Sequence, residues 1–101
     1  MTFTLVATFR AVDAAAAERI QELIRNVRDL ALSPDEPGTS VYIPTRSQAD
    51  SLDFLVYEEY ADKAALAAHM ASAQFQALAA EADALFVGGK AGLKLEYYDR
   101  F

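Results

Sequence analysis

The stretch that decides the fold is residues 57–78, YEEYADKAALAAHMASAQFQAL. It begins with a cluster of carboxylates and aromatic rings at the end of an alternating segment, and it continues into two short alanine-rich segments. Asp62 and Ser72 are residue types that accept hydrogen bonds from the first free N–H groups of a helix, so we expect a helix to begin after each of them. The only histidine, His69, lies between these two helix starts.

In four segments of the chain, successive side chains fall on alternating faces with the period of two that is typical of β-strands. They are residues 3–10, 38–46, 52–60 and 93–100. In the third segment, alternation predicts that Phe54, Val56, Glu58 and Tyr60 share one face of the sheet. Pro44 has no N–H to donate to a ladder, so we expect it at a sheet edge or a bulge.

Between the first two strands the apolar period changes to that of a helix over residues 14–32, with Asp13 as the N-cap. Residues 33–38, SPDEPG, contain two prolines and a glycine, which end the helix in a turn. The order of elements is therefore β-α-β-β-α-β, with the second helical segment broken in two. This order predicts a ferredoxin-like α+β fold, one antiparallel sheet with helices on one face, and a single domain over residues 1–101.

The face of the sheet that points away from the helices is expected to be unusually apolar. An open face in contact with water is normally polar. Here the second face is expected to carry Val6, Tyr42, Leu55, Tyr57 and Tyr98. Burying each large aliphatic side chain is worth roughly 1.5–3 kcal/mol, so we predict a homodimer whose two sheets pack face to face. The alternative is a monomer that tolerates scattered apolar side chains on its surface.

Composition excludes several classes of function. The formal net charge of −6 disfavours nucleic acids and anionic membranes as partners, because both reward clustered Lys and Arg. The chain has no cysteine, and one histidine with scattered carboxylates matches no known metal-ligand spacing. No apolar run approaches the roughly 20 residues that span a bilayer, and residues 1–10 do not resemble a signal peptide. We therefore expect a cytoplasmic protein without a bound metal.

The motif EPG (residues 36–38), followed by a strand and then by FLVYEEYADKAALAAHMASAQFQAL (residues 54–78), resembles the antibiotic biosynthesis monooxygenase domain family. The resemblance extends over nearly the whole chain and implies a dimeric α/β barrel. Similar proteins include oxygenases of quinols and polyketide anthrones that need no cofactor, haem-degrading enzymes, an isomerase of a quorum-sensing signal, and proteins without an assigned activity. Among these activities, the resemblance implies a monooxygenase, which is a cofactor-independent oxidoreductase that acts on an aromatic substrate and O₂.

The chain departs from the family pattern at three positions. Tyr60 stands where relatives often carry tryptophan, and Gln74 stands where many carry a second histidine. Ala79 occupies the position of the histidine that binds iron in the haem-degrading branch, so haem degradation is disfavoured. An isomerase of a phosphorylated sugar-like signal would require a basic pocket, which the acidic composition does not favour.

Oxidation of a quinol requires a group that takes the phenolic proton and donors that hold the developing oxyanion. His69 is the candidate base, since its unperturbed pKa lies near 6.5. Glu58 is expected to take a proton or orient the imidazole, and Tyr60 to bond a substrate oxygen. The remaining candidate residues are expected to bind the substrate. They are the hydrogen-bond donor Tyr57, the apolar wall residues Phe54, Met70 and Phe75, and Arg46, which would hold an anionic edge if it points inward.

Each assignment has a structural alternative. His69 could be a satisfied core histidine, and Glu58 and Glu59 could only pair with cations or with a helix N-terminus. Tyr60 could pack with its hydroxyl bonded, and Phe75 and Met70 could be ordinary core residues. For the whole protein, the alternative is a small-ligand-binding or stress-response α/β barrel that has no turnover.

Overall fold

The computed structural model describes residues 2–101 and contains four strands and three α-helices in the predicted order. The strands are β1 (Phe3–Arg10), β2 (Thr39–Arg46), β3 (Asp53–Tyr60) and β4 (Lys94–Asp99). The helices are α1 (Ala14–Ala31), α2 (Lys63–Ala71) and α3 (Ala73–Leu85), and a short 3₁₀ helix covers Gly89–Gly92. The strands form one antiparallel sheet in the order β2-β3-β1-β4, which confirms the ferredoxin-like α+β fold.

All three helix starts follow the capping residues that the sequence indicates. The side chains of Asp13 and Asp62 accept from the backbone N–H of Ala16 and Ala65. Ser72 ends α2 in an extended conformation, and its hydroxyl accepts from the N–H of Phe75 at the start of α3. The break at Ser72 turns the chain between α2 and α3, so both helices can cover the sheet.

The core lies between the sheet and the helices. Alternate residues of β1 and β3, together with the apolar stripe of α1, fill it: Ala7, Phe9, Phe54, Val56, Ile20, Leu23, Ile24 and Val27. The ring of Phe9 stacks between those of Phe54 and Phe86, with centroids 5.2 and 4.7 Å away. Pro44 lies in β2, an edge strand, as expected.

The expectation that Tyr42 lies on the open face of the sheet is wrong. Tyr42 pairs with Glu58, is 6% exposed and points toward the helices, whereas Val41 and Ile43 occupy the open face. A β-bulge between Thr39 and Val41 sets this register. Alternation divides a strand into two sets of residues without saying which set faces the core, and a shift of one residue exchanges them.

The open face nevertheless carries apolar side chains in contact with solvent. Ile43, Leu55 and Tyr98 are 51%, 41% and 54% exposed. Val6 and Tyr57 pair across β1 and β3 on the same face and are half-buried. No helix in residues 2–101 combines the length and the apolar character that crossing a membrane requires.

Candidate functional site

A cavity of about 230 Å³ lies between the sheet and the helices α2 and α3. Its walls are almost entirely apolar. They are formed by Leu5, Ala7, Phe9, Ile24, Val56, Leu66, Met70, Phe75, Leu78, Ala79, Ala82, Phe86, Leu93 and Leu95. The polar side chains that line it are few, and three of them, Tyr42, Glu58 and His69, are buried close together. An apolar cavity with a few convergent polar groups is the usual form of a small-molecule site.

His69 is the buried residue of α2 and is only 1% exposed. Its Nδ1 lies 2.7 Å from Oε1 of Glu36, and its Nε2 lies 3.9 Å from Oε1 of Glu58. The first distance is a hydrogen bond and the second is too long for one. The rings of Tyr42, Tyr60 and Phe75 surround the imidazole, with centroids 5.4–5.7 Å away.

Glu36 is held in the turn before β2. The Thr39 hydroxyl donates to Glu36 Oε1 over 3.1 Å, and the backbone N–H of Thr39 donates to the carbonyl of Glu36. Gly38 follows in the same turn, where a Cβ would overlap the Cβ of Ala65 in α2. The absence of a side chain at Gly38 therefore lets α2 approach the turn closely, which brings His69 over Glu36.

No lysine or arginine forms an ion pair with Glu58 in the described part of the chain, although Lys90 also lines the cavity. Its Oε1 accepts a hydrogen bond of 2.5 Å from the Tyr60 hydroxyl. Burial raises the pKa of Glu58 to about 7, with a smaller contribution from Glu36 in the same direction, although the Tyr60 bond acts in the opposite direction. Glu58 can therefore take up or release a proton near neutral pH.

Tyr42 is a site residue that sequence reasoning missed. It lines the cavity beside His69, and no protein hydrogen bond to its hydroxyl is found within residues 2–101. Burial, together with the charges of Glu58 and Glu36, raises its pKa, so the hydroxyl stays protonated and remains a donor.

Glu36 was missed as well, although it belongs to the EPG motif that carries the family resemblance. A glutamate between two prolines marks a fixed turn, but which side chain it contacts depends on how α2 packs. For Tyr42, the sequence does not indicate on which face of the sheet the side chain lies.

The structure brings together four of the predicted site residues. His69, Glu58, Met70 and Phe75 all line the cavity. Tyr60 lies directly behind them, fully buried, with its hydroxyl donated to Glu58. It is therefore placed to orient Glu58, and the expected bond from Tyr60 to a substrate oxygen does not fit this arrangement.

Phe54, Tyr57 and Arg46, which the sequence predicts to contact a substrate, do not line this cavity. Tyr57 lies on the open face, because neighbours along a strand alternate, and it donates to Glu59. Phe54 is buried against Phe9 at the other end of the core.

Arg46 is held at the end of edge strand β2. Its guanidinium lies over the Phe54 ring, 5.1 Å from the centroid, and it bonds the Glu18 carboxylate and the Ser51 carbonyl. These contacts point the side chain away from His69.

The structural alternative for the two adjacent glutamates is that they only pair with cations, and this describes Glu59 alone. Glu59 pairs with Arg100 over 3.0 Å, whereas Glu58 bonds a phenol and faces the cavity. Among residues 2–101, no group of three or more His, Asp or Glu side chains is arranged to hold a metal ion.

The comparisons with known proteins agree with this architecture. The model of a family described as "Antibiotic biosynthesis monooxygenase" matches residues 2–81. A Caulobacter crescentus protein described as a "putative antibiotic biosynthesis monooxygenase" is 27% identical, with a TM-score of 0.84 over 99% of this chain and 90% of that one. A Pseudomonas aeruginosa protein is 25% identical, with a TM-score of 0.84 over 99% and 94%.

A Jannaschia protein described as a "dimeric ferredoxin-like protein of unknown function" shares the fold, with 18% identity and a TM-score of 0.83 over 99% of this chain and all of that one. No curated protein matches the chain. The similarities therefore establish family and fold and leave the substrate to be inferred from the cavity.

Proposed function

Because the chain belongs to the antibiotic biosynthesis monooxygenase family, we propose that it oxidises a quinol-type aromatic substrate with O₂ in the cavity beside His69. The family match supports a monooxygenase-type function. The observation that carries the substrate class is an apolar cavity with an imidazole and a carboxyl group of raised pKa at the same place. The reaction is proposed to need no bound cofactor, because a deprotonated quinol can itself reduce O₂.

The size of the cavity favours a small aromatic substrate. An engineered apolar cavity of about 150 Å³ binds benzene, and sites for drug-sized ligands begin near 300 Å³. The cavity of about 230 Å³ lies between these values. A one- or two-ring quinol is therefore the proposed substrate, in preference to a three-ring anthrone of the polyketide type.

The proposed reaction begins when His69 Nε2 takes the phenolic proton. The phenolate then passes one electron to O₂, and the resulting semiquinone and superoxide combine with formation of a C–O bond. The O–O bond breaks, and the departing oxygen leaves as water with two protons from the ring carbon and the second hydroxyl. His69 returns its proton to the oxygen that remains on the ring, which becomes the new hydroxyl. In sum, a quinol and O₂ give a hydroxyquinone and water.

Two further side chains support this sequence of steps. The hydroxyl of the buried residue Tyr42 is a donor without a protein partner in the cavity wall, suited to stabilise the developing oxyanion. Glu58, with a pKa of about 7, is suited to receive the second proton or to return one to the departing oxygen.

An oxygen electrode tests the proposal with hydroquinone, 1,4-naphthoquinol and anthrone, after subtraction of uncatalysed autoxidation. We expect turnover of the first two and a decrease in kcat of about 10²- to 10⁴-fold in His69→Gln, since general-base catalysis contributes that much. Ala68→Gln introduces the same side chain at the exposed neighbouring position of α2 and is the matched control. Equal O₂ consumption by the two variants would contradict the role of His69.

The second candidate function is binding of a small apolar ligand without turnover. It is favoured by one observation, which is that His69 and Glu58 already have protein partners in Glu36 and Tyr60. This alternative predicts that naphthoquinone raises the melting temperature while no quinol is consumed. The oxygen electrode and a thermal shift measurement on the same samples distinguish the two functions.

The proposed working unit is a homodimer of single-domain protomers that pack through the open faces of their sheets. The exposed Ile43, Leu55 and Tyr98 support it, as does the description of the Jannaschia protein as dimeric. Each protomer's residues 1–101 are proposed to form one domain. A cytoplasmic location stays a prediction from the sequence.

A further inference from the structure

We propose that Glu36 is a positioning residue that holds His69 in the tautomer protonated on Nδ1, so that Nε2 is left as the base. The effect on catalysis rests on the proposed function above. The tautomer itself does not, because it can be measured in the resting protein.

The contacts of Glu36 define its role as an acceptor. An ionised carboxylate only accepts hydrogen bonds, and Glu36 Oε1 already accepts from the Thr39 hydroxyl over 3.1 Å. His69 Nδ1 lies 2.7 Å from the same oxygen, and both side chains are buried. Oε2 of Glu36 is buried without a partner, so Glu36 acts on its surroundings through Oε1. Nδ1 is therefore the nitrogen that carries the proton.

The other ring nitrogen is left free. Nε2 lies 3.9 Å from Glu58 Oε1, beyond hydrogen-bond distance, and the Tyr60 hydroxyl already donates to that oxygen. A neutral imidazole protonated on Nδ1 presents its lone pair at Nε2. This lone pair is what abstraction of a phenolic proton in the cavity requires. In the opposite tautomer Nε2 would be a donor and could not act as a base, which is why a carboxylate behind a catalytic histidine matters.

The groups that face His69 come from four parts of the fold. Glu36 lies in the turn before β2, Tyr42 in β2, and Glu58 and Tyr60 in β3, and the neighbour from α3 is the apolar Phe75. Within residues 2–101, no lysine or arginine pairs with Glu36 or Glu58. The groups that face the imidazole are therefore two carboxyl groups, two phenols and one apolar ring.

The fact that His69 is the only histidine makes the test direct. In protein labelled with ¹⁵N-histidine and freed of any histidine tag, every imidazole signal belongs to His69. At a pH where the ring is neutral, we expect Nδ1 to show the chemical shift of a protonated nitrogen and Nε2 that of a nitrogen with a lone pair. The opposite assignment in the wild-type protein would overturn the proposal without any variant or substrate.

Glu36→Gln tests the cause of this tautomer. The glutamine amide can donate or accept, so it no longer obliges Nδ1 to carry the proton. We expect a mixture of tautomers in the imidazole spectrum. With 1,4-naphthoquinol we expect a decrease in kcat of about 10- to 100-fold, the range for loss of such orienting partners. KM should change little because Glu36 does not line the cavity.

Glu22→Gln is the matched control, because it makes the same substitution at an exposed position of α1 that pairs with Arg19 and lies away from His69. We expect it to keep the wild-type tautomer, kcat and pH profile. If Glu36 were merely structural, Glu36→Gln would lower the melting temperature without changing the imidazole spectrum. A wild-type tautomer in Glu36→Gln would overturn the proposal. A confirmed tautomer without O₂ uptake from any quinol would contradict only the proposed function.

Discussion

Glu58 combines, within a single residue, a stabilising bond and an unfavourable burial. Its carboxyl group bonds the Tyr60 hydroxyl but is only 5% exposed and lies near a second carboxyl group. Burial raises its pKa from 4.5 to about 7 in the folded protein. The folded state therefore holds the Glu58 proton more tightly than the unfolded chain does. The contribution of this group to the free energy of unfolding is full below pH 4.5 and is lost as the pH rises through about 7.

Glu58→Gln should remove the decrease in free energy of unfolding that Glu58 causes as the pH rises. An amide of the same size stays neutral and can still accept a hydrogen bond from Tyr60. A difference between pKa values of 4.5 and about 7 corresponds to about 3 kcal/mol as an upper bound. We expect the variant to exceed the wild type in free energy of unfolding by roughly 1–3 kcal/mol at pH 8. The two proteins should converge near pH 4.5.

Urea denaturation at several pH values and one fixed protein concentration measures this difference. Glu59→Gln is the control on the opposite face of β3, beside Arg100, and should follow the wild-type dependence on pH. Parallel curves for the wild type and Glu58→Gln would show that Glu58 is not protonated preferentially in the folded state.

Packing of α2 on the turn before β2 is the element-level feature that assembles the site. The turn supplies Glu36 and the helix supplies His69, and neither segment makes the pair alone. Their close approach depends on Gly38, since a Cβ there would meet the Cβ of Ala65. A side chain at Gly38 would therefore separate the carboxylate from the imidazole as well as strain the fold.

Gly38→Ala should lower the free energy of unfolding by about 1–3 kcal/mol, the usual cost of overpacking. The double variant Gly38→Ala/Ala65→Gly removes the clashing Cβ and should recover much of that loss. Ala65→Gly alone should cost about 1 kcal/mol, since glycine is unfavourable within a helix. Urea midpoints of the four proteins form a double-mutant cycle, and strictly additive effects would show that the two positions are not in contact.

At the scale of the whole molecule, the open face of the sheet is the surface through which we propose that the homodimer forms. The helices cover one face, and the other exposes Ile43, Leu55 and Tyr98. Leu55 belongs to β3, an inner strand of the sheet, so a charge at this position would be buried in a face-to-face dimer. Burying an unpaired charge is much more costly than burying an apolar side chain.

Leu55→Lys should therefore dissociate the proposed homodimer, which size-exclusion chromatography with light scattering measures directly. Leu32→Lys is the matched control, because Leu32 is 57% exposed after α1 and lies outside the sheet. It should leave the dimer intact. A monomeric wild-type protein, or a Leu55→Lys variant that stays dimeric, would contradict packing through this face.

The amino-acid sequence by itself was sufficient for the elements and their order. The alternation in each strand, the capping side chains of Asp13, Asp62 and Ser72, and the prolines before β2 are local signals, and each is read from neighbouring residues. They predict the ferredoxin-like fold and the edge position of Pro44. The family resemblance, with the chemistry it implies, adds four residues of the cavity: His69, Glu58, Met70 and Phe75. The apolar open face follows from the same alternation.

Only the tertiary structure decided which side chains meet. Glu36 and His69 are 33 residues apart, and their contact depends on α2 packing against a turn. The β-bulge in β2 placed Tyr42 inside the site, and an ion pair at the sheet edge kept Arg46 outside it. Local patterns define an element and its two faces, but the register between strands and the approach of helices are fixed by long-range packing, which short-range periodicity does not encode.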